Sequence, residues 1–379
     1  MRIVQVNCVR DPRRRQGLEL LDAWPTLPSV ASAVAGAGAR VSVVQPARER
    51  GSCERDGVAF HFVAGSRFDA FAPVSDAFRV RQAVKALQPD VVHVHGLGFP
   101  FHTRLLSSLG MPVLVQDHGD DPHSRRGALR QWGLARVNGA AFTAVEQALP
   151  FYRSKSLKPE VQLFPIPESS TEFHDGDLEE ARCLTGVYGN PAVLWVGHLN
   201  DNKDPLTILQ AFSQAIRRLP EAHLWLCYHD APLYDHVQAH LAADSALASR
   251  VHLLGALPHE TVERLCRAAD FFMLGSHRES CGFALLEALA CGATPIVSNV
   301  PSFRAITGNG KVGALCNPGD PDSFADALVS LAGRNIHALR AQAIGHFKAE
   351  LSFPVLGKKL LAAYEQLAEL RPNAANNSR

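Results

Sequence analysis

The sequence predicts an α/β protein of two doubly wound domains, and three observations carry that expectation. Short, nearly continuous β-branched runs alternate with stretches of helical period along most of the chain. At 379 residues the chain exceeds the size at which one hydrophobic core stops growing. A Pro-, Gly-, Ser- and acid-rich interval near the middle separates two stretches of the same alternation. The domains are expected at residues 1–165 and 191–354, with 166–190 as a linker containing one short helix and a last helix over 355–370.

In the first half the runs "RIVQV", "RVSVV", "VAFHFV", "DVVHVH", "PVLVQ" and "AAFTAV" read as strands of a sheet covered on both faces. Helical patterns fall between them at about 26–37, 76–87, 100–109 and 126–137. In the second half "AVLWVG", "HLWLCY", "VHLLG", "DFFML", "TPIVS" and "VGALC" are the strands. The segment "DPLTILQAFSQAIRRL" is a helix with Asp204 as N-cap and Pro205 in its first turn. Its apolar positions 206, 209, 212, 216 and 219 share one face. Further helices are expected near 233–247, 259–268, 322–332 and 335–350. Two such domains imply two open sheets facing across a cleft, with ligands outside the carboxyl ends of the strands.

Composition narrows the function. Lys plus Arg number 38 and Asp plus Glu 37, a formal charge of +1, which gives no electrostatic footprint for nucleic acid. Arg13, Arg14 and Arg15 form a local basic patch that suits either a solvated loop or peripheral contact with anionic lipid. The start "MRIVQVNCVR" does not read as a secretory leader, and no apolar stretch approaches ~18 residues. The expectation is a cytoplasmic protein, peripheral at most to the inner face of the membrane. The eight cysteines form no CxxC pair and no zinc-ligand spacing, and read as buried packing in a reducing compartment.

The stretch "HRESCGFALLEALACG", residues 277–292, places two carboxylates around a glycine turn and a helix start. The first amides of that helix, at Gly282, Phe283 and Ala284, have no internal acceptors and lie at its positive end, which suits phosphate. Lys203, in the loop after "AVLWV", is the candidate cation. Glu279 precedes the helix and Glu287 lies inside it, so each can accept from paired hydroxyls at a different distance from the phosphate. A nucleotide sugar has a sugar ring at each end of a diphosphate and fits that pattern. Spacing alone also fits a solvated helix face.

The run from Glu279 through Gly282, Glu287 and Gly292 to "ATPIVS" resembles the signature of retaining glycosyltransferases of family 4, the glycogen-synthase-like group with the GT-B fold. "VGHLNDNKDPLTILQAF" is similar to their phosphate loop, "VHLLGALPHETVERLCRAADFFML" to their base-binding segment, and "LQPDVVHVHG" to their N-terminal domain. The resemblance implies two Rossmann-like domains, the first on the acceptor side and completed by the helix 355–370, the second holding the donor. It implies that Glu279 binds hydroxyls of the donor sugar, Glu287 the ribose, and Lys203 the leaving diphosphate. It places the amides of Gly282, Phe283 and Ala284 on sugar and phosphates, Gly255, Ala256 and Leu257 against the base, and His118 of "VLVQDHGDD" near the reacting carbon. His95, Asp120 and Asp121 are acceptor-side candidates. No cofactor and no metal are implied. The donor is a nucleoside-diphosphate sugar, UDP or GDP being the leading carriers, and the partner is an unidentified hydroxyl acceptor.

Three stretches depart from the family pattern. His198 stands where an arginine usually precedes the lysine; it still offers charge when protonated, but fewer donors. The first βα turn, "RDPRRRQGLELLDAWPTLPS", lacks the usual Gly-Gly pair, and the interdomain "PNG" appears as "PIPE", residues 165–168. The expected reaction is metal-independent hexosyl transfer with retention. The alternatives are a non-catalytic or weakly active nucleotide-sugar binding protein and a sugar-nucleotide epimerase of the same fold. A dinucleotide oxidoreductase is disfavoured because no G-x-G-x-x-G follows the first strand. Oligomeric state stays open.

Overall fold

The computed structural model of the chain describes residues 1–65, 72–122 and 127–369. It divides into two compact units, one built from residues 1–170 with the helix that begins at Phe353, the other from residues 171–352. The polar tail and position 370 of the last expected helix lie outside the described residues, as does position 126 of the helix expected over 126–137.

Unit 1 carries eight strands: β1 (Arg2–Asn7), β2 (Arg40–Ala47), β3 (Gly51–Arg55), β4 (Val58–Ala64), β5 (Val91–His95), β6 (Val113–Gln116), β7 (Gly139–Phe142) and β8 (Gln162–Pro165). Their order is β3-β4-β2-β1-β5-β6-β7-β8. All neighbours are parallel except β3 and β4, which form an edge hairpin. The Val- and Ile-rich central strands are buried on both faces, as parallel strands under two helix layers must be. One layer includes the helices Thr26–Gly36 and Phe353–Glu369, which pack on each other. Chain order reverses between β1 and β5, so the ligand crevice expected of an open α/β sheet lies at their carboxyl ends.

Unit 2 carries β9 (Ala192–Gly197), β10 (His223–Tyr228), β11 (Val251–Gly255), β12 (Phe271–Leu274), β13 (Thr294–Ser298) and β14 (Ala314–Cys316), in the order β11-β10-β9-β12-β13-β14. Every pair is parallel. Here the reversal falls between β9 and β12, so the loops that leave these two strands meet at the switch point. The helix Phe283–Cys291 that follows β12 is Leu- and Ala-rich and almost wholly buried, which makes it a rigid base for that loop.

Residues 171–190, expected as a linker, are instead built into unit 2. Phe173, Ala181 and Val187 are buried there, and the helix Leu178–Thr185 packs on the helix His259–Ala268. Arg182 fastens it, with Nη2 donating to Asp270 at 2.9 Å and Nε to the Ala268 carbonyl at 3.1 Å. Six cysteines are buried, while Cys53 is half-buried and Cys183 is exposed.

Candidate functional site

The loop after β9 grips the loop after β12. Asn202 Nδ2 donates to the Arg278 carbonyl at 3.0 Å, and Asn202 Oδ1 accepts from the Arg278 amide at 3.1 Å. The His277 amide donates to the Asn202 carbonyl at 2.8 Å, and the His277 ring meets Asp204 Oδ2 at 3.0 Å. Asp204 also caps its helix as expected, accepting from the Thr207 amide at 3.1 Å. These bonds fix Lys203, whose stem lies over Gly197, so that Nζ pairs with Glu279 Oε1. The side chains of Lys203 and Glu279 are 19% and 10% exposed. The Glu279 backbone is held by Ser302, whose Oγ donates to its carbonyl at 3.1 Å.

Gly282 starts the helix with φ +93°, a conformation L side chains rarely adopt, and a Cβ there would lie 2.5 Å from the Phe303 ring. No side chain caps this helix, and its first amides follow Glu279 by only a few residues, the setting of an anion site. Phe283 is exposed and Ala284 half-buried. Glu287, farther along the helix, accepts from or shares a proton with His259, Oε1 lying 2.8 Å from Nε2. That carboxylate raises the pKa of His259. The Gly255–Leu257 turn lies close by: Cys227 Sγ donates to the Gly255 carbonyl at 3.6 Å, and the same thiol feels the Leu257 backbone and the Glu287 charge. Lys203 and Glu279 thus meet just ahead of Gly282, Phe283 and Ala284 in the chain, while Glu287 sits midway along the same helix and shares Cys227 as a neighbour with the Gly255–Leu257 turn. His198 is half-exposed, with Nδ1 3.5 Å from Asp230 Oδ2. His259 and Asp230 carry no motif in the sequence; only the fold brings them to Glu287 and His198.

In unit 1 His118 follows β6. Its Nδ1 lies 2.8 Å from Glu168 Oε2 and its Nε2 3.1 Å from His95 Nδ1. His95, expected as an acceptor-side contact, is buried behind His118 and also meets Gln5 Oε1 at 3.4 Å. Asp120 is engaged as well: Oδ2 accepts from the Leu97 amide at 2.6 Å, anchoring the turn after β5. Asp121 is exposed. Asp117 accepts from the Asp120 amide at 3.0 Å, and burial pushes its carboxyl up to about 7, with the Asp120 and Glu168 charges adding. Glu168 was not anticipated; its signal was an acid at the end of "PIPE", where the family pattern has none. Among the described residues no group of three or more His, Cys, Asp or Glu is placed to hold a metal ion, and no helix is long and apolar enough to cross a membrane.

A family model described as "Glycosyl transferases group 1" matches residues 190–334, and one described as "Glycosyltransferase Family 4" matches residues 29–149. The UDP complex of HepE from Anabaena superposes with a TM-score of 0.72 at 14% identity, covering 97% of this chain and all of that one. The chain belongs to the family-4-like glycosyltransferases of the GT-B fold. Among this family's proteins, the D-inositol 3-phosphate glycosyltransferase of Nocardia farcinica is 27% identical over 269 residues, 68% of this chain and 59% of that protein. The GDP-mannose:cellobiosyl-diphosphopolyprenol alpha-mannosyltransferase of Xanthomonas oryzae is 25% identical over 274 residues, 70% of this chain and 69% of that protein. The chain therefore matches less than two thirds of the length of the Nocardia glycosyltransferase.

Proposed function

We propose that this chain transfers a hexosyl group from a nucleoside-diphosphate sugar, carried on UDP or GDP, to an acceptor hydroxyl, with retention at the anomeric carbon and without a metal ion. One observation carries the reading: at the β9/β12 switch point a lysine, a carboxylate and the uncapped start of a buried helix meet. Lys203 pairs with Glu279. A diphosphate would take Lys203 and the first helix amides, freeing Glu279 to accept from sugar hydroxyls, while Glu287 accepts from the ribose. The bond from the anomeric carbon to the diphosphate oxygen breaks, the acceptor oxygen bonds to that carbon, and the acceptor's proton passes to a phosphate oxygen. Charge grows on the leaving diphosphate, where Lys203, protonated His198 and the helix amides stabilise it. His118 is assigned to the donor sugar beside the reacting carbon. Among the acceptor-side candidates, Asp121 is the exposed one, whereas Asp120 and His95 act through the backbone and through His118.

The Xanthomonas relative's name, which gives GDP-mannose, supports a sugar-nucleotide donor, while the Nocardia relative is named for an inositol phosphate. We place the chain in the cytoplasm, peripheral to the membrane at most. The test is product analysis: UDP- and GDP-hexoses are incubated with the protein and cell extract, and free nucleoside diphosphate is measured with a new glycoside of unchanged anomeric configuration. An inverted product refutes retention, and undiminished turnover after exhaustive chelation is required. A second reading, a weakly active nucleotide-sugar binder, draws on His198 being turned toward Asp230. Donor binding without release of diphosphate would favour it.

A further inference from the structure

A polar stripe crosses the buried face of the unit 1 sheet. Gln5 on β1 pairs in register with His93 on β5, and His95 pairs with Gln116 on β6. Above them the helix Phe353–Glu369 inserts Tyr364, fully buried. These side chains join His118 in one chain of hydrogen bonds, and the segment 165–168 holds both of its ends. At one end Gln116 Nε2 donates to the Pro167 carbonyl at 3.0 Å, so Gln116 Oε1 is left as an acceptor. At the other end Glu168 meets His118.

The direction of the protons follows from counting donors. His93 Nε2 and Gln116 Oε1 are both buried without a hydrogen-bond partner, so the direction is set by the Gln5 amide, whose Nε2 faces Tyr364 and whose Oε1 faces His95. Burial holds His93 neutral, its pKa lowered to about 3, so with the proton on Nε2 its Nδ1 accepts from the Tyr364 hydroxyl at 2.8 Å. The Tyr364 oxygen then accepts from Gln5 Nε2 at 3.5 Å. Gln5 Oε1 accepts from His95 Nε2 at 3.4 Å. His95 is also kept neutral by burial, so its Nδ1 is an acceptor, and the donor facing it at 3.1 Å is His118 Nε2. Reversing the chain would turn the Gln5 amide over, with Oε1 toward Tyr364 and Nε2 toward His95, against the orientation the structure has.

We propose that Glu168 is a positioning residue that holds Nδ1 of His118 as a second donor, so that the ring carries a proton on each nitrogen and is fixed in one orientation. The buried chain demands a proton on Nε2, and the carboxylate of Glu168 demands one on Nδ1. The acid of "PIPE" therefore supplies the counter-charge for a cationic His118. The catalytic meaning rests on the reading that His118 lies beside the donor sugar; the proton count does not.

The test uses full-length protein labelled with 15N-histidine and long-range 1H–15N correlations of the imidazole rings, with His118 signals assigned by their loss in His118→Asn. Both His118 nitrogens should resonate as protonated, and His93 and His95 as neutral rings protonated on Nε2. In Glu168→Gln, which keeps the shape of the side chain, His118 Nδ1 should lose its proton while the His95 and His93 signals stay in place. A bare His118 nitrogen in the unsubstituted protein, or unchanged His118 signals in Glu168→Gln, overturns the proposal. With whichever UDP- or GDP-hexose the protein consumes, Glu168→Gln should lower kcat roughly 10- to 100-fold, the scale of a small misplacement at a reacting centre, with KM little moved. Unchanged kcat in Glu168→Gln beside lost activity in His118→Asn overturns the positioning role. Full activity in His118→Asn overturns instead the place given to His118 in the proposed function, and the ring spectra still decide the proton count.

Discussion

Replacing Lys203 by alanine tests stability and chemistry at once, because the structure pairs it with Glu279 in a largely closed setting. Removing one member of a fully buried pair costs about 3–5 kcal/mol, since the other charge is stranded. An exposed pair is worth under ~1 kcal/mol. With side chains 19% and 10% exposed, this pair lies nearer the buried limit. We expect Lys203→Ala to cost about 2–3 kcal/mol. For a unit the size of residues 171–352, that lowers Tm by roughly 5–10 °C. Joining Lys203→Met to Glu279→Gln removes both charges and should return stability to within about 1 kcal/mol of the starting protein, a coupling of about 2 kcal/mol. Turnover of the nucleotide sugar should stay down by at least about 100-fold in both variants, because the leaving group has lost its cation. Calorimetric melts give the cycle, and diphosphate release gives the rate. A double variant as unstable as the sum of its parts would refute the pairing argument. A stable, fully active Lys203→Ala would sink the site.

Three further outcomes are expected. Asp117 holds its proton in the folded state up to about pH 7 but gives it up near 3.8 when unfolded, so its contribution falls as pH rises between those values and stays lost above them. Asp117→Asn keeps the acceptor for the Asp120 amide and should gain up to about 4 kcal/mol over the unsubstituted protein at pH 8 but little at pH 4, as read by urea unfolding. Gly282→Ala forces a side chain into a left-handed backbone at about 1–2 kcal/mol and drives Cβ into Phe303, so melts should drop and calorimetric binding of UDP- or GDP-hexoses should vanish. His198→Arg supplies a permanent fork of donors where His198 now turns to Asp230, and kcat/KM should rise several-fold; a fall would mean that the imidazole shape is itself required.

Most of the architecture was legible because parallel strands buried on both faces announce themselves as Val- and Ile-rich runs, and Asp204-Pro205 marked a helix start. The loops that carry Lys203 and Glu279 could be placed because both leave strands whose carboxyl ends define the crevice expected of such a sheet. The two edge strands, β3 and β8, were missed: "GSCER" alternates weakly, "QLFP" is short, and each pairs only on one side, although Asp56-Gly57 with positive φ supplied the β3–β4 hairpin turn. Residues 171–190 looked like a linker because their composition is polar, yet a few residues such as Phe173, Ala181 and Val187 suffice to pin them down. Pairings between distant residues were the least visible. Nothing local in the sequence ties Glu168 to His118, His259 to Glu287, or Asp230 to His198. The polar interruptions in "RIVQV", "VVHVH" and "VLVQ" were a readable hint, since a buried strand carries Gln or His only where a partner waits.

Because Leu360, Tyr364 and Leu367 fill the interior of unit 1, that unit cannot finish assembling while the ribosome is still working through residues 171–352. Residues 1–170 wait, partly greasy, for the helix that begins at Phe353. Premature termination just before Phe353 would therefore injure not residues 171–352, which directly precede the break, but residues 1–170.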